Sequence, residues 1–235
     1  MTTEVGSLIH ELDGQLLDGL FFCAKAYALL EILRAEPGGV ERLQLRKARD
    51  EKRLLDEILP ICRYVQTYYK PGRYISVRWL NGSQSYDAEV VQSGDYVTHG
   101  YYAQNAFLET TSAMHPNEHW AWTLLNQGIT TYAPEGIDAQ RGTPLTSEPV
   151  VFTNSEHVLG FAPIVVSSIR KKMKILYPEN TSLVVQCHLN NLYIPSEWQL
   201  LVSEVEREIA ATPFREVLLV DSLTQHATPL AVRVL

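Results

Sequence analysis

The spacing of apolar residues changes from a period of 3.6 to a period of 2 after Lys70-Pro-Gly72, and this change constrains the fold strongly. Beyond it, β-branched and aromatic residues are frequent, and successive side chains are expected to point to opposite faces, as in strands. Asn81-Gly82 is a strong tight-turn signal, so the strands on either side of it are predicted to pair antiparallel. The predicted strands of this meander are Tyr74–Leu80, Tyr86–Gln92, a shorter Tyr96–Tyr102, and Asn105–Ala113.

Two long helices are predicted before the strands. The first covers Ser7–Ala35, where apolar residues recur at three- and four-residue spacing, and it ends at the proline and glycines that follow. The second covers Val40–Tyr69 and contains Pro60, which is expected to kink or split it. Joined by a short turn, the two helices are predicted to pack as an N-terminal helical hairpin over residues 1–70. Such hairpins commonly form dimer surfaces, so a homodimer through these helices is one expectation.

Helices and strands alternate in the remainder of the chain. The predicted helices are Pro116–Gln127, His157–Leu176 and Ser196–Ala211. The predicted strands are Ser182–Leu189, whose nearly continuous apolar run is typical of burial on both faces, and Glu216–Asp221. Residues 128–154 are predicted to form a long loop. Residues 71–235 are therefore predicted to be an α/β domain with a central mixed β-sheet flanked by helices.

The charge distribution is acidic overall and basic in two places. A net charge of -7 argues against broad, nonspecific attraction to nucleic acid. Arg42–Arg53 nevertheless holds six basic residues against two acids, and Arg170–Lys174 holds four basic residues. Each run is interpreted either as a solvated helix face or as a strip that contacts phosphates.

Several features favour a cytoplasmic protein. The chain has no apolar run of about 18 residues that could span a bilayer. Its first residues include acids and lack the basic segment of a signal peptide. The three cysteines are far apart in apolar surroundings, as expected of buried, reduced thiols. No membrane association is expected.

Carboxylates on two of the predicted strands are the leading candidates for chemistry. Alternation places Asp87 and Glu89 on one face of the second strand, and Glu109 and Thr111 on one face of the last. Neighbouring strands can bring Asp87 and Glu109 to one spot. Because an unpaired buried carboxylate is costly, a cation should meet them. That cation is either a divalent metal or an arginine or lysine side chain.

The order of elements and the placement of these acids resemble the core of the PD-(D/E)xK, or restriction-endonuclease-like, superfamily. The resemblance implies that Asp87 and Glu109 bind Mg²⁺ or Mn²⁺ and that the protein hydrolyses phosphodiesters in DNA or RNA. Thr111 occupies the position where the family has a catalytic lysine. Members that relocate this lysine place it on the following helix, so the resemblance makes Lys171 or Lys172 its counterpart here.

Two alternatives stay open. In one, the acids pair with Arg73 or Arg78, and the protein is a catalytically inactive nuclease-like fold that serves as a binding or scaffolding module through its helical hairpin. In the other, His115-Pro-Asn-Glu118-His119 is a zinc site, because this H-x-x-E-H order matches a class of zinc hydrolases. A mixed site is a further option, with His115 or His119 beside Glu109.

Overall fold

The computed structural model describes residues 9–139, 144–189, 194–224 and 226–234. The strands are β1 (Leu16–Asp18), β2 (Tyr74–Trp79), β3 (Ala88–Ser93), β4 (Asn105–Ala113), β5 (Ile137–Asp138), β6 (Thr146–Ser147), β7 (Thr181–Cys187), β8 (Ala211–Thr212), β9 (Glu216–Asp221), β10 (Ala227–Pro229) and β11 (Arg233–Val234). The α-helices are α1 (Gly19–Ala35), α2 (Gly39–Leu45), α3 (Arg49–Arg53), α4 (Leu59–Tyr68), α5 (Asp95–Thr98), α6 (Glu118–Asn126), α7 (Asn154–Lys172) and α8 (Pro195–Glu208). A π-helical turn (Leu54–Ile58) joins α3 to α4, and a 3₁₀ turn (Pro134–Gly136) precedes β5.

A mixed sheet of seven strands organises the described residues, in the order β1-β2-β3-β4-β7-β9-β10. Strands β1 to β4 pair antiparallel with their neighbours, whereas β4, β7 and β9 are parallel and β10 is antiparallel to β9. Parallel neighbours need crossover connections, and α7 and α8 lie in these two connections. The predicted α/β class with a central mixed sheet is confirmed.

Both faces of the sheet are covered by apolar residues. On one face Val184 and Leu218 belong to a core that includes side chains of α1 and α4. On the other face Leu183 and Leu219 belong to a core that includes side chains of α7 and α8. Successive residues of β7 therefore enter different cores, and the whole strand is buried. This arrangement confirms the prediction of a strand buried on both faces.

The first predicted helix, Ser7–Ala35, is interrupted by a turn and a short strand after His10. Residues Leu16–Asp18 form β1, which pairs with Ser76–Arg78 of β2, and α1 begins only at Gly19. The Asp18 carboxylate accepts hydrogen bonds from the backbone N–H groups of Leu20 and Phe21, so it caps the helix there. The first two residues of the predicted helix, Ser7 and Leu8, lie outside the described residues.

Two further predictions needed correction. The predicted second helix is interrupted at Arg46, which has φ 47°, and it resumes at α3. The predicted strand Tyr96–Tyr102 is wrong, because the backbone N–H groups of Val97 and Thr98 both donate to the Gly94 carbonyl and close the helical turn α5. Strand β4 and strand β9 begin and end where the sequence predicted.

The expectations about cysteines and membranes can also be compared with the structure. Cys23, Cys62 and Cys187 are all buried and free, as predicted. Across the described ranges, no helix combines the length and the apolar character needed to cross a membrane.

Candidate active site

The register of β3 and β4 brings the two predicted acids together. Ala88 is paired with Leu108 and Glu89 with Phe107, so Asp87, which directly precedes β3, lies opposite Glu109. The backbone N–H of Asp87 donates to the Leu108 carbonyl over 2.8 Å, which extends the ladder to this position. The predicted meeting of the two carboxylates therefore follows from simple strand alternation.

The Asp87 carboxylate is held by Thr110. Its Oδ2 accepts from the Thr110 backbone N–H over 2.7 Å and lies 2.6 Å from the Thr110 hydroxyl. Burial raises the pKa of Asp87, while the Thr110 hydrogen bonds and the positive charges of Lys172 and Arg53 lower it. These contacts fix one carboxylate oxygen and so orient the group.

Glu109 is the most strongly perturbed acid of the site. It is 5% exposed, and the Lys172 ammonium donates a hydrogen bond to its Oε1. Burial is the largest cause that raises the pKa of Glu109 to about 7, and the negative charges of Asp87 and Glu57 add to it. At neutral pH this carboxyl group therefore exists in both protonation states, and a further positive charge nearby would favour the ionised state.

Of the two candidate lysines, the structure brings Lys172 to the acids. Lys172 is the last residue of α7 and forms an ion pair with Glu109. Lys171 is exposed and lines a groove between α7 and α8 with Lys174 and Arg207. One step along the helix separates a site residue from a surface residue.

Glu57 is a third acid of the site, and it was not predicted. It lies in the π-helical turn, where its Oε2 accepts a 3.1 Å hydrogen bond from the Trp79 indole N–H. Burial raises the pKa of Glu57, and the negative charge of Asp87 raises it further. The negative charge of Glu57 in turn raises the pKa of Glu109, and these three acids are together called the acidic cluster.

The irregular helix that carries Glu57 has a cause in the sequence. In a regular α-helix the residue four positions after Asp56 donates to its carbonyl, but that residue is Pro60, which has no N–H. The Thr110 hydroxyl lies 2.9 Å from this carbonyl as well as close to Asp87. It can donate its one proton to only one of them at a time, and it links the π turn to β4. Such π segments frequently occur at functional sites.

Arg53 and Tyr177 complete the surroundings of the acids. Arg53 lies over the Trp79 ring at 5.8 Å, and its positive charge lowers the pKa of both Glu57 and Asp87. Its Nη1 is buried and has no hydrogen-bond partner among the described residues. Burial raises the pKa of the Tyr177 phenol, and so do the negative charges of Glu109 and Asp87. Within the same ranges its buried hydroxyl has no partner at normal hydrogen-bond geometry.

The arginines proposed as structural partners bind other groups. Arg73 is buried and donates to Gln92 over 2.8 Å and to the Tyr64 hydroxyl over 2.9 Å. Arg78 of β2 pairs over 2.8 Å with Glu89, two residues after Asp87. Thr111 is paired with Val185 of β7 and contributes no charge. The cations near Asp87 and Glu109 are instead Lys172 and Arg53.

Comparison with protein-family models, with curated proteins and with solved structures found no match. Any functional inference therefore rests on the chemistry of the site itself.

The H-x-x-E-H residues are not arranged as a metal site in this structure. His115 precedes α6, and its Nδ1 accepts from the Asn117 backbone N–H over 3.1 Å. His119 is exposed, and its Nδ1 lies 3.1 Å from the Pro116 carbonyl. In the described part of the chain, no group of three or more His, Cys, Asp or Glu side chains is placed to hold a metal ion. The zinc site stays a prediction without support from this geometry.

A magnesium or manganese ion makes smaller demands on the protein. Mg²⁺ keeps several waters and is commonly held by one or two carboxylates, so Asp87 and Glu109 are enough. Burial raises the pKa of all three acids, and the negative charge of Asp87 raises the pKa of Glu57 and Glu109 further. A bound cation would favour the ionised state of each. The acids present therefore fit a hard divalent cation.

The two basic runs are largely used inside the chain. In the first, Arg42 and Arg46 each form ion pairs with acidic side chains, and Arg53 is buried. In the second, Arg170 and Lys172 pair with acids. Much of the charge of both runs is thus compensated, and neither run is simply a solvated helix face.

Proposed function

We propose that this chain is a metal-dependent phosphodiester hydrolase that acts on nucleic acid. The observation that carries the proposal is the cluster of Glu57, Asp87 and Glu109, in which the acids have raised pKa values and the Lys172 ammonium pairs with Glu109. Two acids and a lysine are the groups that metal-assisted cleavage of a phosphodiester needs.

The topology supports the same proposal. A helix that ends in α4 leads into the antiparallel strands β2, β3 and β4, and the crossover through α7 leads to the parallel strand β7. This is the order of elements on which the resemblance to the PD-(D/E)xK superfamily rests. We interpret α7 as the helix that carries the relocated lysine, and the helices of residues 1–70 as an N-terminal addition to a restriction-endonuclease-like core.

Each residue has a role in the proposed reaction. Asp87 and Glu109 would hold Mg²⁺ or Mn²⁺, and when bound the ion would polarise the phosphate and acidify a water molecule. Thr110 orients Asp87 through its backbone and hydroxyl groups. Lys172, which now neutralises Glu109, would stabilise the negative charge that develops on the scissile phosphate.

Cleavage of labelled DNA and RNA oligonucleotides tests the proposal. The wild type is assayed with Mg²⁺, with Mn²⁺ and with EDTA, beside Asp87→Asn and Glu109→Gln. Glu89→Gln is the matched control, because Glu89 lies on the same pair of strands but pairs with Arg78. We expect metal-dependent cleavage by the wild type and the control, and none by the two site variants. Equal cleavage by all four proteins would refute the assignment of the site.

A second candidate function is supported by the surface of α1. Leu20, Phe21 and Ile32 are 51%, 53% and 46% exposed, so α1 presents three large apolar side chains to solvent. We propose, as the alternative, that a catalytically inactive form of this fold binds a partner or a second copy through α1. Sedimentation velocity of the wild type and of Phe21→Ser measures the oligomeric state directly. A monomeric wild type would contradict the homodimer.

A further inference from the structure

A pocket rich in tyrosine lies at the opposite ends of β2 and β3 from the carboxylates. It has a volume of about 510 Å³ and is bordered by the Pro71-Gly72 turn and by α5. Tyr74, Tyr96 and Tyr101 line it and are 47%, 37% and 64% exposed. Three aromatic rings thus surround one open concave surface, where each keeps an accessible face or edge.

Glycine makes this pocket possible. Gly72 has φ 85° and Gly94 has φ 105°, and a Cβ on Gly94 would lie 2.5 Å from the Gly72 carbonyl oxygen. The close approach lets the Tyr96 backbone N–H donate to that carbonyl over 3.0 Å. The Tyr96 ring is consequently fixed beside the turn, and it lies 6.1 Å from the Tyr101 ring in an edge-on arrangement.

Basic side chains border the pocket. The Lys70 ammonium lies over the Tyr96 ring, 4.8 Å from its centre, and Lys70 is exposed. The exposed Arg215 donates from Nη2 to the Tyr101 carbonyl over 3.4 Å. The lining itself includes Asp95 and His99, while Lys70 and Arg215 each contact a tyrosine of the pocket from outside that lining. Aromatic faces next to cations are the combination that binds a single strand of nucleic acid, where bases stack and phosphates meet positive charge.

A chain of contacts connects the pocket to the candidate active site. The Tyr177 phenol, beside Glu109 and Asp87, packs against Phe214, with ring centres 5.1 Å apart. The next residue, Arg215, reaches the Tyr101 carbonyl. Strand β3 runs between the same two places. From Asp87 to its last residue the chain extends roughly 20 Å at about 3.3 Å per residue. A stacked strand covers this span in roughly six nucleotides.

We propose that Tyr74, Tyr96 and Tyr101 form a base-stacking subsite for a single-stranded segment of the nucleic acid that the site cleaves. This inference rests on the proposed function and adds the class of substrate: a strand that is unpaired several nucleotides from the scissile phosphate. Lys70 and Arg215 contact its phosphates, and the tyrosine rings stack on its bases without selecting a sequence.

Tyr101 is suited to a test because it is exposed and its loss should leave the fold intact. The probe is a fluorescently labelled 15-nucleotide thymidine strand, and binding is followed by anisotropy in EDTA so that no cleavage occurs. We expect Tyr101→Ala to weaken binding roughly tenfold and Tyr101→Phe to retain it, since the ring alone supports stacking. Tyr132→Ala is the matched control, because Tyr132 is 61% exposed but does not line the pocket.

A second probe separates stacking from charge. An abasic strand of the same length carries the same phosphates without bases. We expect it to bind the wild type at least as weakly as the thymidine strand binds Tyr101→Ala, because it loses stacking on all three tyrosines. Equal binding of both strands by the wild type, unchanged binding by Tyr101→Ala, or no binding at all would each overturn the subsite.

The proposed function is tested apart from the pocket with bis(4-nitrophenyl) phosphate, a diester too small to reach Tyr101 from the carboxylates. We expect the wild type and Tyr132→Ala to cleave it and Asp87→Asn to lose cleavage. If the diester is cleaved but the strand-binding assays show no stacking, the subsite is refuted and the proposed hydrolase stands. If the binding assays show stacking but the diester is not cleaved, the pocket is a nucleic-acid-binding surface and the proposed hydrolase is refuted.

Discussion

Replacing Glu109 by glutamine is expected to make the protein more stable at alkaline pH. Burial and the neighbouring acids raise the pKa of Glu109 to about 7 from an ordinary value of 4.5. A difference of about 2.5 units corresponds to about 3 kcal/mol between the folded and unfolded states. Because the folded-state pKa is the higher one, this cost is absent below pH 4.5, where the group is protonated in both states. It grows as the pH rises and is complete above pH 7.

Glutamine has nearly the same shape and carries no charge, so it removes this cost. Lys172 then loses its partner, but its side chain is 27% exposed and can reach water. We therefore expect Glu109→Gln to raise the free energy of unfolding by up to about 3 kcal/mol at pH 8 and by less than about 1 kcal/mol at pH 5.

Urea unfolding in EDTA at the two pH values measures these differences, with the fluorescence of the fully buried Trp79 and Trp198 as the signal. Glu89→Gln is the control and should show no gain at pH 8, since Glu89 forms a partly exposed pair with Arg78. If Glu109→Gln were less stable than the wild type at both pH values, Glu109 would be a structural partner of Lys172. The inference that ionised Glu109 destabilises the folded state would then be refuted.

Three further predictions concern neighbouring residues. Lys172→Met should reduce phosphodiester cleavage about 10²-fold or more, while Lys171→Met should change it little, as measured by turnover of a labelled oligonucleotide; similar losses in both would contradict the assignment of Lys172. Thr110→Val should lower the free energy of unfolding by about 1–3 kcal/mol, because Asp87 loses a hydroxyl donor, and unchanged urea midpoints would count against that contact. His119→Ala should leave the metal content of the purified protein unchanged, and elemental analysis showing a loss of bound zinc would restore the zinc hypothesis.

The alternation of side chains along strands was sufficient to predict the pairing of Asp87 with Glu109. That prediction needs the period of 2 along each strand, which is local, and the placement of the two strands as neighbours in the sheet. The burial of β7 on both faces was likewise predicted by its continuous apolar run. Local pattern therefore predicted the sheet around the site and two of its acids.

The missing parts depend on contacts between distant segments. Glu57 enters the cluster because Pro60 breaks the regular helix, and the freed carbonyl of Asp56 meets Thr110 of β4. Pro60 predicted an irregular helix, but it did not predict which side chain that irregularity would bring to the site. Similarly, the sequence left Lys171 and Lys172 equivalent, because the rotational phase at the end of α7 is set by its packing on the sheet.

The misplaced strand has a more local explanation. Tyrosines at 96, 101 and 102 favour a strand by propensity, but Gly94 turns the chain and its carbonyl accepts two helical hydrogen bonds. Turn chemistry prevailed over propensity here. The same turn places Tyr96 and Tyr101 around the pocket rather than in the sheet.

Calorimetric titration of the EDTA-treated protein with Mn²⁺ tests the central claim most directly. We predict binding by the wild type and by Glu89→Ala, none by Glu109→Ala, and tighter binding as the pH rises through 7, since Glu109 must lose its proton to bind the ion. Absence of binding by the wild type, or binding that survives in Glu109→Ala, would contradict a metal site built on these carboxylates.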